Sequence, residues 1–119
     1  MEVVGTINEA IIPAVGAWTL LYTVPDDLSA TLSTIDINNR DDAATNLDAG
    51  VWLAFAPPPE VREEKHERLT DFQVEPRNPF SKTQGWVLRS QTEVWVKSDK
   101  SDVGFAITGL LFAIAENIY

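Results

Sequence analysis

Residues 18–39 set the rhythm of the chain. Trp18, Leu20, Tyr22 and Val24 share one parity, Pro25-Asp26-Asp27 follows as a turn, and a Thr- and Ile-rich run leads to Asn38 and Asn39. Apolar residues at every second position are the mark of a strand with one buried face. Two such runs joined by a short turn predict neighbouring antiparallel strands. Leu21, on the other parity, predicts burial on both sides or an interface. In the second run the apolar parity changes from Ala30 and Leu32 to Ile35 and Ile37, and a β-bulge between them accounts for the change.

The same reading extends in both directions. Val3, Val4 and Ile7 predict a short first strand, and 11–16 is a link broken by Pro13 and Gly16. Residues 1–16 also carry Ile11, Ile12 and Val15 without an amphipathic period. They suit either a first strand packed on its own sandwich or an apolar arm that adds to a neighbour. Val51, Leu53 and Phe55 alternate with Trp52 and Ala54, and three prolines at 57–59 end that strand. Residues 60–68 are helix-like, with Pro ahead and a Glu64/Arg68 pair. With only Val61 and Leu69 nearby to bury, they predict a short surface helix or a charged excursion. A strand over 69–74 and an extended loop over 75–84 follow, so 57–84 as a whole reads as a charged excursion. Strands over 86–89 and 93–98, a turn over 98–102 and an apolar run over 103–115 complete the chain, with Gly104 and Gly109 as bends or close-approach points.

Seven or eight short strands with frequent turns predict an all-β fold: one antiparallel β-sandwich spanning 1–119, with Greek-key or jelly-roll connections. The expected core is Trp18, Leu20, Tyr22, Val24, Ile35, Ile37, Val51, Leu53, Phe55, Val94, Val96, Phe105 and Ile107.

Composition narrows the function. Hydrophobic residues make up 45% of the 119, enough to build a core. Cysteine is absent, which removes disulfides, thiolate metal sites and a cysteine nucleophile. The net charge of −9 opposes binding to a phosphate backbone, so no nucleic-acid partner is expected. Residues 1–59 hold eight acids and one base and residues 60–119 ten acids and eight bases, giving −7 and −2. The front half thus presents either a plain solubilising surface or one for a basic partner. Residues 1–9 lack the basic start of a signal peptide. The apolar run 103–115 is shorter than the roughly 20 residues of a spanning helix, so no membrane insertion is expected.

Candidate chemistry is sparse. His66, the one histidine, lies among Glu63, Glu64, Lys65 and Glu67. A carboxylate-bridged metal motif needs a second copy of such a pair, so His66 reads as part of a solvated charged segment. Asp36, Asp41, Asp42 and Asp48 do not have EF-hand spacing. No serine sits in a nucleophile elbow and no Gly-rich loop cradles phosphate. No catalytic residue, metal or cofactor is assigned, and no enzyme is expected. Trp52 and Trp95 lie on the non-core parity of their strands. They form either a contact patch, for a subunit or a sugar, or a surface covered by the 57–84 excursion.

Two stretches resemble small virion proteins of tailed bacteriophages. Leu21-Tyr22-Thr23-Val24-Pro25, Ser29 to Ile35 and Asn38-Asn39-Arg40 are similar to a Leu-Tyr-Thr-Val-Pro-Ala-Gly turn, a Thr/Ser/Val strand and a closing Asn-Arg. Gly85 to Arg89, Val94 to Asp99 and Asp102 to Gly109 resemble the family's closing strands. The likeness covers about 19–39 and 85–109. Pro-Asp-Asp departs from the family turn, and 60–84 lacks the family's aromatic-Tyr-Asp strand and reads as a local elaboration. The resemblance implies a virion structural protein, assembled in the host cytoplasm and working as a homo-oligomer, with a trimer as the expected state. A capsid decoration or cement protein bound to the major capsid protein is the first expectation. A tail, baseplate or fibre-associated protein is the second, and a carbohydrate-binding module using Trp52 or Trp95 the third. The candidate interface is Val3, Val4, Ile7, Ile11, Ile12, Trp52 and Trp95.

Overall fold

The computed structural model describes residues 2–40, 47–76 and 78–114. Eight strands run in chain order: β1 (Val3–Ile11), β2 (Thr19–Thr23), β3 (Leu28–Asn39), β4 (Ala49–Ala56), β5 (Glu67–Val74), β6 (Phe80–Leu88), β7 (Glu93–Ser98) and β8 (Val103–Ala113). One sheet has the order β1-β8-β3-β6 and the other β2-β7-β4-β5. Every strand pairs antiparallel with its counterpart from the far end of the chain: β1 with β8, β2 with β7, β3 with β6, β4 with β5. This is a two-stranded ribbon wrapped into a sandwich, the jelly-roll arrangement expected from the strand count.

The core lies between the sheets. Leu32, Ile35 and Ile37 of β3 and Phe105 and Ile107 of β8 face Val51, Leu53 and Phe55 of β4 and Val94 and Val96 of β7, all buried. The change of parity in β3 is a bulge, as its sequence requires: the register against β8 shifts between Leu32 and Thr34. Gly109 sits opposite the bulge. A Cβ there would run into the Thr31 carbonyl oxygen and lie 3.1 Å from the Leu32 Cα, so the two backbones meet at a distance only glycine permits.

Several expectations are corrected. β2 and β3 are not neighbours in a sheet. The turn at Asp26 and Asp27 carries the chain from one sheet to the other, and Asp27 takes φ 62° to make it. The turn after β6 crosses back beside it, with Val24 N–H donating to Thr92 O at 3.0 Å and Gln91 N–H to Val24 O at 2.9 Å. Leu20 is exposed, and Trp18 and Tyr22 are half-buried, because β2 has its own irregularity: Leu20 pairs with outward Trp95 while Tyr22 pairs with inward Val94. Leu21 takes up the extra residue and packs against the core.

The excursion is also shorter than expected. The strand expected over 69–74 is present and starts at Glu67, and β6 starts at Phe80, inside the stretch expected as a loop, so the long departure from the sheets is 57–66. Its helical part is a single 3₁₀ turn, Glu64–His66. The prolines at 76 and 79 lie before β6 and do not prevent it. Asn39 is fully buried at the end of β3. Its Nδ2 donates to Val74 O at 3.0 Å and Leu47 O at 3.1 Å, tying the β3–β4 connection to the end of β5.

Two substitutions test this frame by chemical denaturation. Gly109→Ala forces β3 and β8 apart and is expected to cost about 1–3 kcal/mol. Asn39→Ala leaves buried carbonyl oxygen without its donor and is expected to cost about 1–3 kcal/mol. A wild-type midpoint for either variant contradicts the role given to that residue.

Candidate functional site

The structure divides the expected interface residues among three surroundings. Val3, Val4 and Ile12 are about half exposed on and beside β1. Ile7 is corrected: at 3% exposure it belongs to the core, and Ile11 is half-buried against it. Residues 3–11 therefore form a strand of the chain's own sandwich, paired with β8, and not a free arm. Trp52 and Trp95 lie half-buried on the outer face of the second sheet.

β1 differs from the other three sheet edges. Bare edges offer unpaired N–H and C=O groups to any passing strand, and proteins blunt them with bulges, short strands and charge. β2 has five residues and a register shift. β5 has two shifts and a left-handed Asp71. β6 breaks at Gly85, φ 71°, and carries Lys82. β1 is irregular only between Val3 and Gly5 and then runs in register from Gly5 to Ile11, with Glu9 as its one charge. Across the sandwich edge lies Tyr22, whose phenol is pushed above its ordinary value by burial and by the nearby Glu9 carboxylate.

On the outer face of the second sheet, residues 57–66 act as a strap. The Arg62 guanidinium lies 4.2 Å from the Trp18 ring centre, so the strap reaches from the end of β4 to the start of β2. Lys97 lies 5.2 Å from the Trp18 ring and 4.3 Å from the Trp52 ring. Each such contact contributes about 0.5–1 kcal/mol at an exposed site. Beneath the strap Ala54, on the outward parity of β4, is fully buried. His66 is corrected as well: it is 6% exposed rather than solvated. Its Nδ1 accepts from Glu63 N–H at 2.9 Å, which leaves the Nε2 proton to meet Glu60 Oε1 at 3.2 Å. Lys65 Nζ joins the same oxygen at 2.9 Å. The tryptophans are thus partly covered, and Trp95 Nε1 is engaged by Glu93 at 3.0 Å.

A cleft of about 400 Å³ opens on the opposite edge, between β5 and β6. Phe55 forms its floor and Trp86 a wall, their ring centres 5.6 Å apart in an edge-to-face arrangement. Arg68 and Arg89 stand at its sides, and Thr92 and Ser29 also line it. Sequence reading missed this site because β3, β4, β5, β6 and the turn before β7 each contribute to it. The parity of Trp86, opposite inward Leu32, was its one legible signal. Among the described residues no group of three or more acids, cysteines or histidines is placed to hold a metal ion. Asp41 and Asp42 of the acidic loop lie outside the described residues. No helix among the described residues is long and apolar enough to cross a membrane. No family model, curated protein or solved structure matches the chain.

The strap generates a pH prediction. Hydrogen bonds from Lys65 and then His66 hold the Glu60 carboxyl below its ordinary value of 4.5. A folded-state value below the unfolded one stabilises the strap at pH above 4.5, and that contribution is lost as pH falls through the lowered value. The protection factors of amides in 57–66, which remove the intrinsic pH dependence of exchange, should therefore fall in acid before those in β3 and β8 do. Glu60→Gln should show the lower protection already at neutral pH. A uniform loss of protection along the chain would contradict a local clasp.

Proposed function

We propose that the protein is a non-enzymatic structural component of a tailed-phage virion. In this reading it is a capsid decoration or cement protein that acts as a homo-oligomer and joins its neighbours through the β1 edge. The observation that carries the reading is that edge: regular from Gly5 to Ile11, unguarded by lysine or proline, with Val3 and Val4 about half exposed at its start. A strand of this kind adds to another chain by main-chain hydrogen bonds, and exposed apolar side chains add specificity. The sequence likeness to small phage virion proteins supports the setting, and the jelly roll is an architecture used by viral capsid domains. A role on the tail or baseplate uses the same edge. The half-buried, internally engaged Trp52 and Trp95 give a sugar-binding role at those residues no support.

The test replaces Val3 and Val4 together by Lys. Both side chains are exposed, so stability should stay within about 0.5 kcal/mol of wild type, while self-association in ultracentrifugation and incorporation into particles should fall. Wild-type association by the folded variant overturns the β1 assignment. In purified particles, a copy number on the order of hundreds supports the capsid lattice, and a few dozen or fewer supports the tail. Absence from particles overturns the virion reading.

A further inference from the structure

The cleft between β5 and β6 has no part in the reading above, and three of its features are those of a binding site. First, its guanidinium groups are free of counter-charge. The chain has twice as many acids as bases, 18 against 9, yet among the described residues neither Arg68 nor Arg89 forms an ion pair with a carboxylate. Arg89 Nη2 donates to Pro58 O at 2.6 Å, and Arg68 reaches two backbone oxygens at 3.4 and 3.5 Å and lies 5.6 Å from the centre of the Phe55 ring. Second, Thr92 is 3% exposed and lines the cleft, and its hydroxyl has no hydrogen-bond partner among the described residues. Buried hydroxyls are normally satisfied, so an unpaired one on a residue that lines a cleft marks a place for an external partner. Third, Trp86 and Phe55 supply aromatic walls, with Leu88 beside them.

We propose that this cleft binds a carboxylate-bearing sugar unit. The arginines select a planar anion, which a guanidinium holds through paired N–H donors. An aromatic wall suits the C–H face of a pyranose ring, and Thr92 and Ser29 meet ring hydroxyls, which both donate and accept. The volume lies within the roughly 300–1,000 Å³ of small-ligand sites. A bare phosphate ion satisfies the arginines but leaves the aromatic wall and the Thr92 hydroxyl unused. A peptide carboxyl terminus is the competing occupant, and the test separates the two.

The protein is titrated with D-glucuronate, D-glucose and N-acetyl-leucine, with amide and indole shifts followed by NMR. Glucuronate should shift the signals of Trp86 and Thr92 and bind at least about tenfold more tightly than glucose. Arg68→Gln and Arg89→Gln, both at exposed positions, should remove that preference while the chain stays folded. Thr92→Val, which keeps the shape, should weaken both sugars alike. No shift with glucuronate, equal binding of glucose, or tighter binding of N-acetyl-leucine overturns the assignment. Because these measurements use the free protein, they neither depend on nor decide its place on a particle.

Discussion

The ladder between β3 and β8 is the seam on which the rest of the molecule depends. It runs from Leu28 opposite Ala113 to Asn39 opposite Val103 and supplies the inner wall of the first sheet. It is broken once, by the bulge between Leu32 and Thr34, which moves the apolar residues that follow to the other parity. The bulge works only because Gly109 lets the β3 backbone come against β8. From this seam β1 and β6 take their positions, and through the turns after β2 and β6 so does the second sheet. Asn39 then fixes the far end of the seam to β5. Local sequence, close packing and topology are therefore settled at the same few residues.

How much of this was legible follows from which forces act locally. β7 alternates cleanly because it is central with one face on the core, and β4, buried at every position but Trp52, still carries Val51, Leu53 and Phe55 on one parity, so these and Val94 and Val96 were readable by parity. The bulge in β3 was readable because it moves every later apolar residue to the other face. The bulge in β2 was hidden, since Trp18 and Leu20 are as apolar as inward residues would be. Trp18 is met by Lys97 and the Arg62-bearing strap, which lie far along the chain, and Leu20 is turned outward by the register shift against β7. The strand expected over 69–74 is present as β5, whereas the first half of β6 imitates a loop because an edge strand needs few apolar residues. Sheet membership was out of reach for a similar reason: the same Pro-Asp-Asp signal serves a hairpin or a crossing between sheets.

The candidate surfaces divide along the same line. Val3, Val4 and Ile12 were found from sequence as apolar residues without a period, and they are exposed. Ile7 was included with them because a single inward residue cannot be told from its neighbours without its partner, Gly109. The aromatic cleft is a property of assembly rather than of any segment. Its residues converge only once β5 and β6 close the open edge of the sandwich. His66 shows the converse. A histidine in a strongly charged stretch becomes buried because Glu60 and the Glu63 backbone satisfy both ring nitrogens.

The pairing of β1 with β8 also has a mechanical consequence. Val3 lies opposite Phe112, so the start of β1 and the end of β8 meet at one corner, the two strands running antiparallel. Tension applied through both strands at that corner acts across the ladder and loads one hydrogen-bonded pair at a time, like a zipper. Tension applied along the strands, between opposite poles of the sandwich, would load the whole β3–β8 seam in shear. The molecule should therefore yield readily when pulled apart at that corner and resist stretching along its strands. Its grip on any neighbour would then depend strongly on the direction of the load.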